Sequence, residues 1–375
     1  MKAAISRTLT RTLTSPTLRD WRWRLASVPR RLQGQEPVVH YFHQADDPYS
    51  HLTASLLPQL QQRYRVRIAS HLVPPPSMEN APDLARLGEW SARDARRLAG
   101  HFKLAPVREF SAPDGGELRQ RLGHYLGATF YFEGEWYWGI DRLHHLERRL
   151  ADAGLAEAGL QPLVAPPDLL LEEGVSSTQA PVLHFFCSLR SPYTWIATPR
   201  IRQLAEHYGA ELRLRFVLPM VMRGLPVPIE KRLYILRDTK REAERLGLPF
   251  GTIADPLGAP TERGLALLQH AIGQGKGPEF LESFLRGVFA EGIDAGSDRG
   301  LARIAQRAGL DPDELAVALA DPSWRAVAEA NRSEMLGEGL WGVPSFRIDD
   351  LPALWGQDRI WMLEQDLIGQ LTRQG

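Results

Sequence analysis

The segment Arg190-Ser-Pro-Tyr-Thr-Trp195 follows an apolar run, Pro181-Val-Leu-His-Phe-Phe186, and sets a hydroxyl, Ser191, directly before a proline. Proline is favoured at the first helical position, so Ser191 is expected at a helix start. There a serine caps the helix, and the positive end of the helix dipole favours an anion beside it. A nucleophile or a bound thiol at that place gains acidity. Two more pieces have the makings of a binding turn. In "WGVPSF" (341–346) the pair Val343-Pro344 precedes a strand, and "WGQDR" (355–359) turns into the last helix with Asp358 at its head. An X-Pro bond is where a cis peptide costs least, and such a turn faces the preceding backbone outward to receive an extended peptide. A carboxylate at Asp358 suits a cationic amine.

The same turn occurs twice. Pro37-Val-Val-His-Tyr-Phe42 matches Pro181-Val-Leu-His-Phe-Phe186, Pro48-Tyr49 matches Pro192-Tyr193 and Tyr64 matches Tyr208, all 144 residues apart. A second match closes each unit, "FYFEGEWYWGIDRLHHLERRL" (130–150) against "FRIDDLPALWGQDRIWMLEQDL" (346–367). A repeat at fixed spacing marks repeated architecture. Here it reads as a tandem duplication with diverged middles.

Each unit is expected as strand (38–43; 182–187), helix (48–63; 192–208), strand (66–73; 211–218), helical insert, two short strands and a final helix near Asp141 or Asp358. That order is a thioredoxin-like fold interrupted by helices, α/β in class, with mixed strand pairing and helices on both faces. The expected boundaries are a basic N-terminal extension (1–35), a degenerate thioredoxin-like domain (36–150), a linker (151–180) rich in Pro, Gly and small residues, and a second domain (181–375) whose insert runs from about 219 to 335. The first insert, about 75–126, is less than half as long.

Three motifs in this order, Ser-Pro-Tyr-Thr-Trp, Gly-Val-Pro-Ser-Phe and Trp-Gly-Gln-Asp-Arg, make residues 181–370 resemble the glutathione-dependent branch of the DsbA-like thioredoxin superfamily. That branch holds the 2-hydroxychromene-2-carboxylate isomerases and kappa-class glutathione transferases. The resemblance implies glutathione as bound co-substrate. It implies that Ser191 holds its thiol as thiolate, that Val343 pairs with its peptide part before a cis Pro344, and that Gln357 and Asp358 take the γ-glutamyl end. Tyr193, Thr194, Trp195 and Trp341 are expected around a small aromatic or electrophilic substrate.

Two departures stand out. Cys187-Ser188-Leu189 replaces the family's usual Phe-Asp-Phe, and "PMVMRGLPVPIEKR" (219–232) lacks its Gly-Asn-(Lys/Arg)-Pro-Pro loop, leaving Arg223 or Lys231 as the candidate positive charge. The N-terminal copy departs further, with Asp47 for the serine and Ala128-Thr129 where the proline turn belongs. A carboxylate there repels a thiolate and is a good cap, so this copy is expected to be non-catalytic. Ser191 and Asp358 are also ordinary capping residues, and a binding protein with two decayed sites remains the alternative. Redox chemistry is disfavoured, because Cys187 is the one cysteine and no dithiol can form.

Composition narrows the classes further. Forty-five basic residues balance forty-five acidic ones across 375 residues, which argues against nucleic acid as a partner. No Cys or His pattern has metal-ligand spacing, so no metal is expected. No window has the length of a membrane span. The expectation is a cytoplasmic monomer or homodimer with a small-molecule substrate. Residues 1–35 carry Lys2, Arg7, Arg11, Arg19, Arg22, Arg24, Arg30 and Arg31 against Asp20 alone. They read as a basic surface helix or loose tail, with an organelle transit segment or an anionic surface as the alternatives.

Overall fold

The computed structural model describes residues 2–157, 159–176 and 179–374; part of the expected linker, at Ala158, Ser177 and Thr178, lies outside the described residues, as do Met1 and Gly375. The elements run α1 (Lys2–Leu13), α2 (Pro16–Leu32), β1 (Val38–His43), α3 (Pro48–Ala54), α4 (Leu57–Arg63), β2 (Arg67–Leu72), α5 (Leu84–Phe102), α6 (Gly116–Leu122), β3 (Thr129–Phe132), β4 (Glu135–Trp138) and α7 (Leu143–Asp152). They continue with β5 (Val182–Cys187), α8 (Pro192–Tyr208), β6 (Glu211–Phe216), α9 (Ile229–Arg245), α10 (Ala259–Gly273), α11 (Gly277–Arg286), α12 (Asp298–Arg307), α13 (Leu315–Ala320), α14 (Trp324–Gly337), β7 (Ser345–Ile348), β8 (Leu354–Trp355) and α15 (Ile360–Gln374). Among the described residues no helix is long and apolar enough to cross a membrane.

Two four-stranded sheets have the same order, β2-β1-β3-β4 and β6-β5-β7-β8. In each, the first two strands pair in parallel and the rest antiparallel, with His40 opposite Tyr131 and His184 opposite Arg347 at equivalent rungs. Buried residues on the central strands explain this placement. Tyr41 and Phe42 on β1, and Leu183, Phe185 and Phe186 on β5, are fully removed from water, as strands covered on both faces require.

The chain divides into two compact units. The C-terminal unit comprises Met1–Ser15, Pro167–Leu225 and Ile235–Gly375; the N-terminal unit comprises Pro16–Pro166 and Pro226–Tyr234. The basic extension is therefore not one segment. Helix α1 docks on the insert of the C-terminal unit, where Ser6 Oγ donates to the Ile253 carbonyl at 2.8 Å, Arg7 to Gly292 at 3.0 Å, and the Ile253 N–H donates to Thr10 Oγ1 at 3.1 Å. Gly251 is required at this contact, since a Cβ there would sit 2.3 Å from Thr14 Oγ1. Helix α2 belongs to the N-terminal unit. The single helix expected over 48–63 is broken into α3 and α4, because Pro58 has no N–H to continue the ladder to Ala54.

Buried hydrogen bonds repeat with the sheets. Tyr49 Oη donates to Asp94 at 2.6 Å and Tyr193 Oη to Asp238 at 2.7 Å. Tyr64 Oη donates to Glu147 at 2.9 Å and Tyr208 Oη to Glu364 at 3.0 Å. Each of these two glutamates also accepts from backbone of its own unit in the expected linker, Glu147 from Leu163 N–H and Glu364 from Leu170 and Leu171 N–H.

Three strand histidines are held neutral. Burial, with neighbouring positive groups adding to it, lowers His40, His43 and His184 from 6.5 to about 4. Above pH 6.5 both folded and unfolded chains carry them neutral, so stability is flat. As pH falls from 6.5 toward 4 the unfolded chain protonates first and stability is lost. Urea midpoints measured from pH 7.5 to 5 are expected to fall through this window, and His184→Gln to flatten the fall; a midpoint constant down to pH 5 contradicts the assignment.

Candidate active site of the C-terminal unit

Ser191 is the N-cap of α8. Its backbone is extended and its Oγ accepts from the Thr194 N–H at 3.1 Å, while Pro192 occupies the first helical position. The Val343–Pro344 peptide is cis, and Ser191 Oγ donates to the Val343 carbonyl at 3.4 Å. Ser191 and Val343 are half-buried; Pro344 is buried. Two turns 152 residues apart in sequence thus meet at one hydroxyl.

Three charged groupings fix this corner. Arg190 forks onto Asp255 with bonds of 2.7 and 2.8 Å, tying the end of the first strand's turn to the insert. Tyr193 donates to Asp238, whose other oxygen accepts from Arg241 at 2.8 Å; Asp238 and Arg241 are both buried. Arg200 donates to the backbone and side-chain oxygens of Gln357 at 3.1 and 3.3 Å. Gln357 Nε2 donates to Glu242 and Asp358, and Glu242 also pairs with Arg245. Burial lowers Arg200 to about 10 despite the acids around it.

The expected site residues therefore separate. Ser191, Val343 and Pro344 converge, and Gln357 and Asp358 sit side by side at the head of the last helix. Gln357 is 1% exposed and its carboxamide is engaged at both ends, so it holds Asp358 and Arg200 in place and is not offered to a ligand. Thr194 and Trp195 are buried, with Trp195 Nε1 donating to the Pro249 carbonyl at 3.0 Å. Trp341 stacks edge-on against Trp355 at 4.6 Å, and Gly342 is needed between them, since a Cβ would lie 2.3 Å from the Trp355 ring. Arg223 lies by Arg332 and Glu329, and burial lowers it. Lys231 belongs to the N-terminal unit, where its Nζ donates to the Asn80 carbonyl at 2.6 Å. Cys187 is fully buried and its thiol is pushed up by burial, so it supplies no thiolate.

The DSBA-like thioredoxin domain family matches this chain over residues 182–368. Residues 182–368 are a DSBA-like thioredoxin domain. The DSBA-like domain is 25% identical over 194 residues to 2-hydroxychromene-2-carboxylate isomerase of Sphingobium xenophagum, and 22% over 204 residues to that of Pseudomonas putida. These alignments cover 50% and 52% of this chain and 97% of each relative. Among solved structures, a 2-hydroxychromene-2-carboxylate isomerase has a TM-score of 0.43 at 22% identity, covering 52% of this chain and 97% of that one. The cytosolic disulfide reductase DsbM from Pseudomonas aeruginosa with GSH has a TM-score of 0.40 at 22% identity, covering 52% and 98%.

Against the DSBA-like domain the N-terminal unit keeps the scaffold and changes the atoms. Asp47 caps α3, accepting from the Tyr49 and Ser50 N–H groups at 3.3 and 3.0 Å and from Ser50 Oγ at 2.7 Å. Burial raises its carboxyl above the usual range, against the pull of those bonds. Among the described residues Val343–Pro344 is the one cis peptide, and the corresponding turn instead carries Ala128 in a left-handed conformation, φ 53°.

The Asp238–Arg241 pair was not among the expected site residues, although its signal is in the sequence. Arg93-Asp94 and Arg237-Asp238 stand 144 residues apart, the same spacing as the two Pro-Tyr turns.

Proposed function

We propose that the DSBA-like domain acts as a glutathione-dependent isomerase or transferase on a small aromatic or electrophilic compound. The observation that carries this reading is Ser191 Oγ, which caps α8 while facing the Val343 carbonyl in the cis-Pro344 turn. The likeness to proteins named 2-hydroxychromene-2-carboxylate isomerase supports the reaction class.

The residues fit a thiol peptide. At 3.4 Å the bond from Ser191 to Val343 is long, so the hydroxyl proton can turn to an anion at small loss. The hydroxyls of Ser188 and Thr194, buried beside it, have no hydrogen-bond partner among the described residues. Bound glutathione supplies a nucleophilic sulfur. Ser191 donates to that sulfur, and the N-terminus of the 17-residue α8 favours its negative charge. Half-buried Val343 offers its backbone for pairing, Asp358 receives the amino group, and Gln357 orients Asp358. Tyr193, anchored by Asp238, is assigned to substrate contact together with Trp341 and Arg223. The chain itself has no dithiol to exchange.

Titration calorimetry tests the reading. Reduced glutathione is expected to bind the full chain at sub-millimolar concentration and to bind Ser191→Ala at least about tenfold more weakly, with 2-hydroxychromene-2-carboxylate as the first substrate to assay. No heat at millimolar glutathione, or affinity unchanged in the variant, sinks it. The engaged side chain of Gln357 favours a second reading, a non-catalytic binding protein, which predicts ligand binding without turnover.

A further inference from the structure

Helix α2, PTLRDWRWRLASVPRRL, has two unlike faces. The inner face is fixed to the β3–β4 hairpin of its own unit. Arg22 pairs with Glu135, Arg30 with Glu133 at 2.7 Å, the Arg149 guanidinium lies 4.3 Å from the centre of the Trp23 ring, and Ala26 lies against Gly134. These contacts consume two of its five arginines; Arg19 pairs with Asp20, the helix's one acid.

The outer face is apolar and open. Leu18, Trp21, Leu25, Val28 and Leu32 recur at spacings of three and four, which puts them in one stripe. Their exposure runs from 42 to 83%. Single exposed leucines are ordinary; five in one row on one helix are not. Over fourteen residues the stripe is about 21 Å long. Arg24 and Arg31 flank it, both exposed and with no side-chain hydrogen bond or ion pair among the described residues.

We infer that α2 is an interfacial helix that lays its Leu18–Trp21–Leu25–Val28–Leu32 stripe into the surface of an anionic lipid bilayer, with Arg24 and Arg31 on the headgroups. An indole and four aliphatic side chains beside unneutralised arginines are the two signals that peripheral attachment needs. A second copy of the helix fits the stripe worse, since packing stripe on stripe brings the flanking arginines of both copies together with no acid to pair them. A protein partner requires matched shape and hydrogen bonds, and this convex face offers neither groove nor polar group along its crest. Because the inner face stays docked, attachment needs no unfolding.

Vesicle flotation with the full chain tests this. The protein is expected to float with phosphatidylcholine vesicles containing phosphatidylglycerol, to stay down with phosphatidylcholine alone, and to be released by salt. Trp21→Ser/Leu25→Ser and Arg24→Gln/Arg31→Gln are each expected to cut the bound fraction about tenfold, with circular dichroism and urea midpoint unchanged because all four side chains are exposed. Absence of flotation at low salt, equal binding to both vesicles, or binding untouched by the variants overturns it. So does a lipid-free dimer in sedimentation velocity that Trp21→Ser/Leu25→Ser dissociates, which would assign the stripe to a second copy.

Discussion

Ser191→Asp is expected to fold as well as the unsubstituted chain and to lose the glutathione thiolate altogether. The N-terminal unit shows why the fold survives: Asp47 occupies the same cap and accepts two backbone bonds there. Serine and aspartate are near equals as caps, so the urea midpoint should correspond to within about 0.5 kcal/mol of the original, whereas Ser191→Ala should lose about 1 kcal/mol. The chemistry runs in a different order. Alanine removes one donor to the sulfur and leaves the helix end; aspartate adds a like charge beside it. The pKa of bound glutathione, followed by thiolate absorbance, should therefore rise from serine to alanine to aspartate. Turnover should fall about 10²-fold or more in both variants, as loss of a donor to developing charge typically does. An aspartate variant that still holds the thiolate would separate Ser191 from the chemistry.

Asp238→Ala is expected to be the most damaging single change near the site. It removes the carboxylate to which the Tyr193 hydroxyl and the buried Arg241 guanidinium donate at 2.7 and 2.8 Å. Breaking a buried ion pair by removing one partner costs about 3–5 kcal/mol. Tyr193→Phe removes only the hydrogen bond and should cost about 1.5–3 kcal/mol. Urea unfolding followed by tryptophan fluorescence measures both, and a loss for Asp238→Ala no larger than for Tyr193→Phe would mean that Arg241 is not the burdened group. Tyr193→Phe should also weaken substrate capture without raising the pKa of bound glutathione, since it leaves Ser191 capped.

Much of this was legible in the residues, for physical reasons. The 144-residue spacing between His40 and His184, Tyr49 and Tyr193, and Tyr64 and Tyr208 reports strands and helices that must superpose, and the two sheets have one order. Ser before Pro-Tyr predicts a cap, and the cap is there. What stayed hidden depends on tertiary placement. Arg190 meets Asp255 on a stretch with no periodicity at all. Trp195 reads equally as pocket wall and as core, and neither its near-complete burial nor its bond to the Pro249 carbonyl is written in the local sequence. Helix α1 has hydroxyls and Arg7 where an apolar face would signal docking, so a hydrophobic pattern passes over it although Ser6, Thr10 and Thr14 are hydrogen-bonded to the insert. Lys231, a candidate cation by sequence alone, belongs by its contacts to the other unit.

Two like-ordered sheets on one polypeptide also escape a rule that binds symmetric assemblies. In a pair of identical chains every substitution enters both copies at once, so a change that suits one site is imposed on its mate. Written in tandem, the copies are inherited separately. An aspartate can settle at 47 and a left-handed alanine at 128 while the serine at 191 and the proline at 344 stand. Asymmetry is then encoded in the gene itself, and the turn residues of one half can change while those of the other stand.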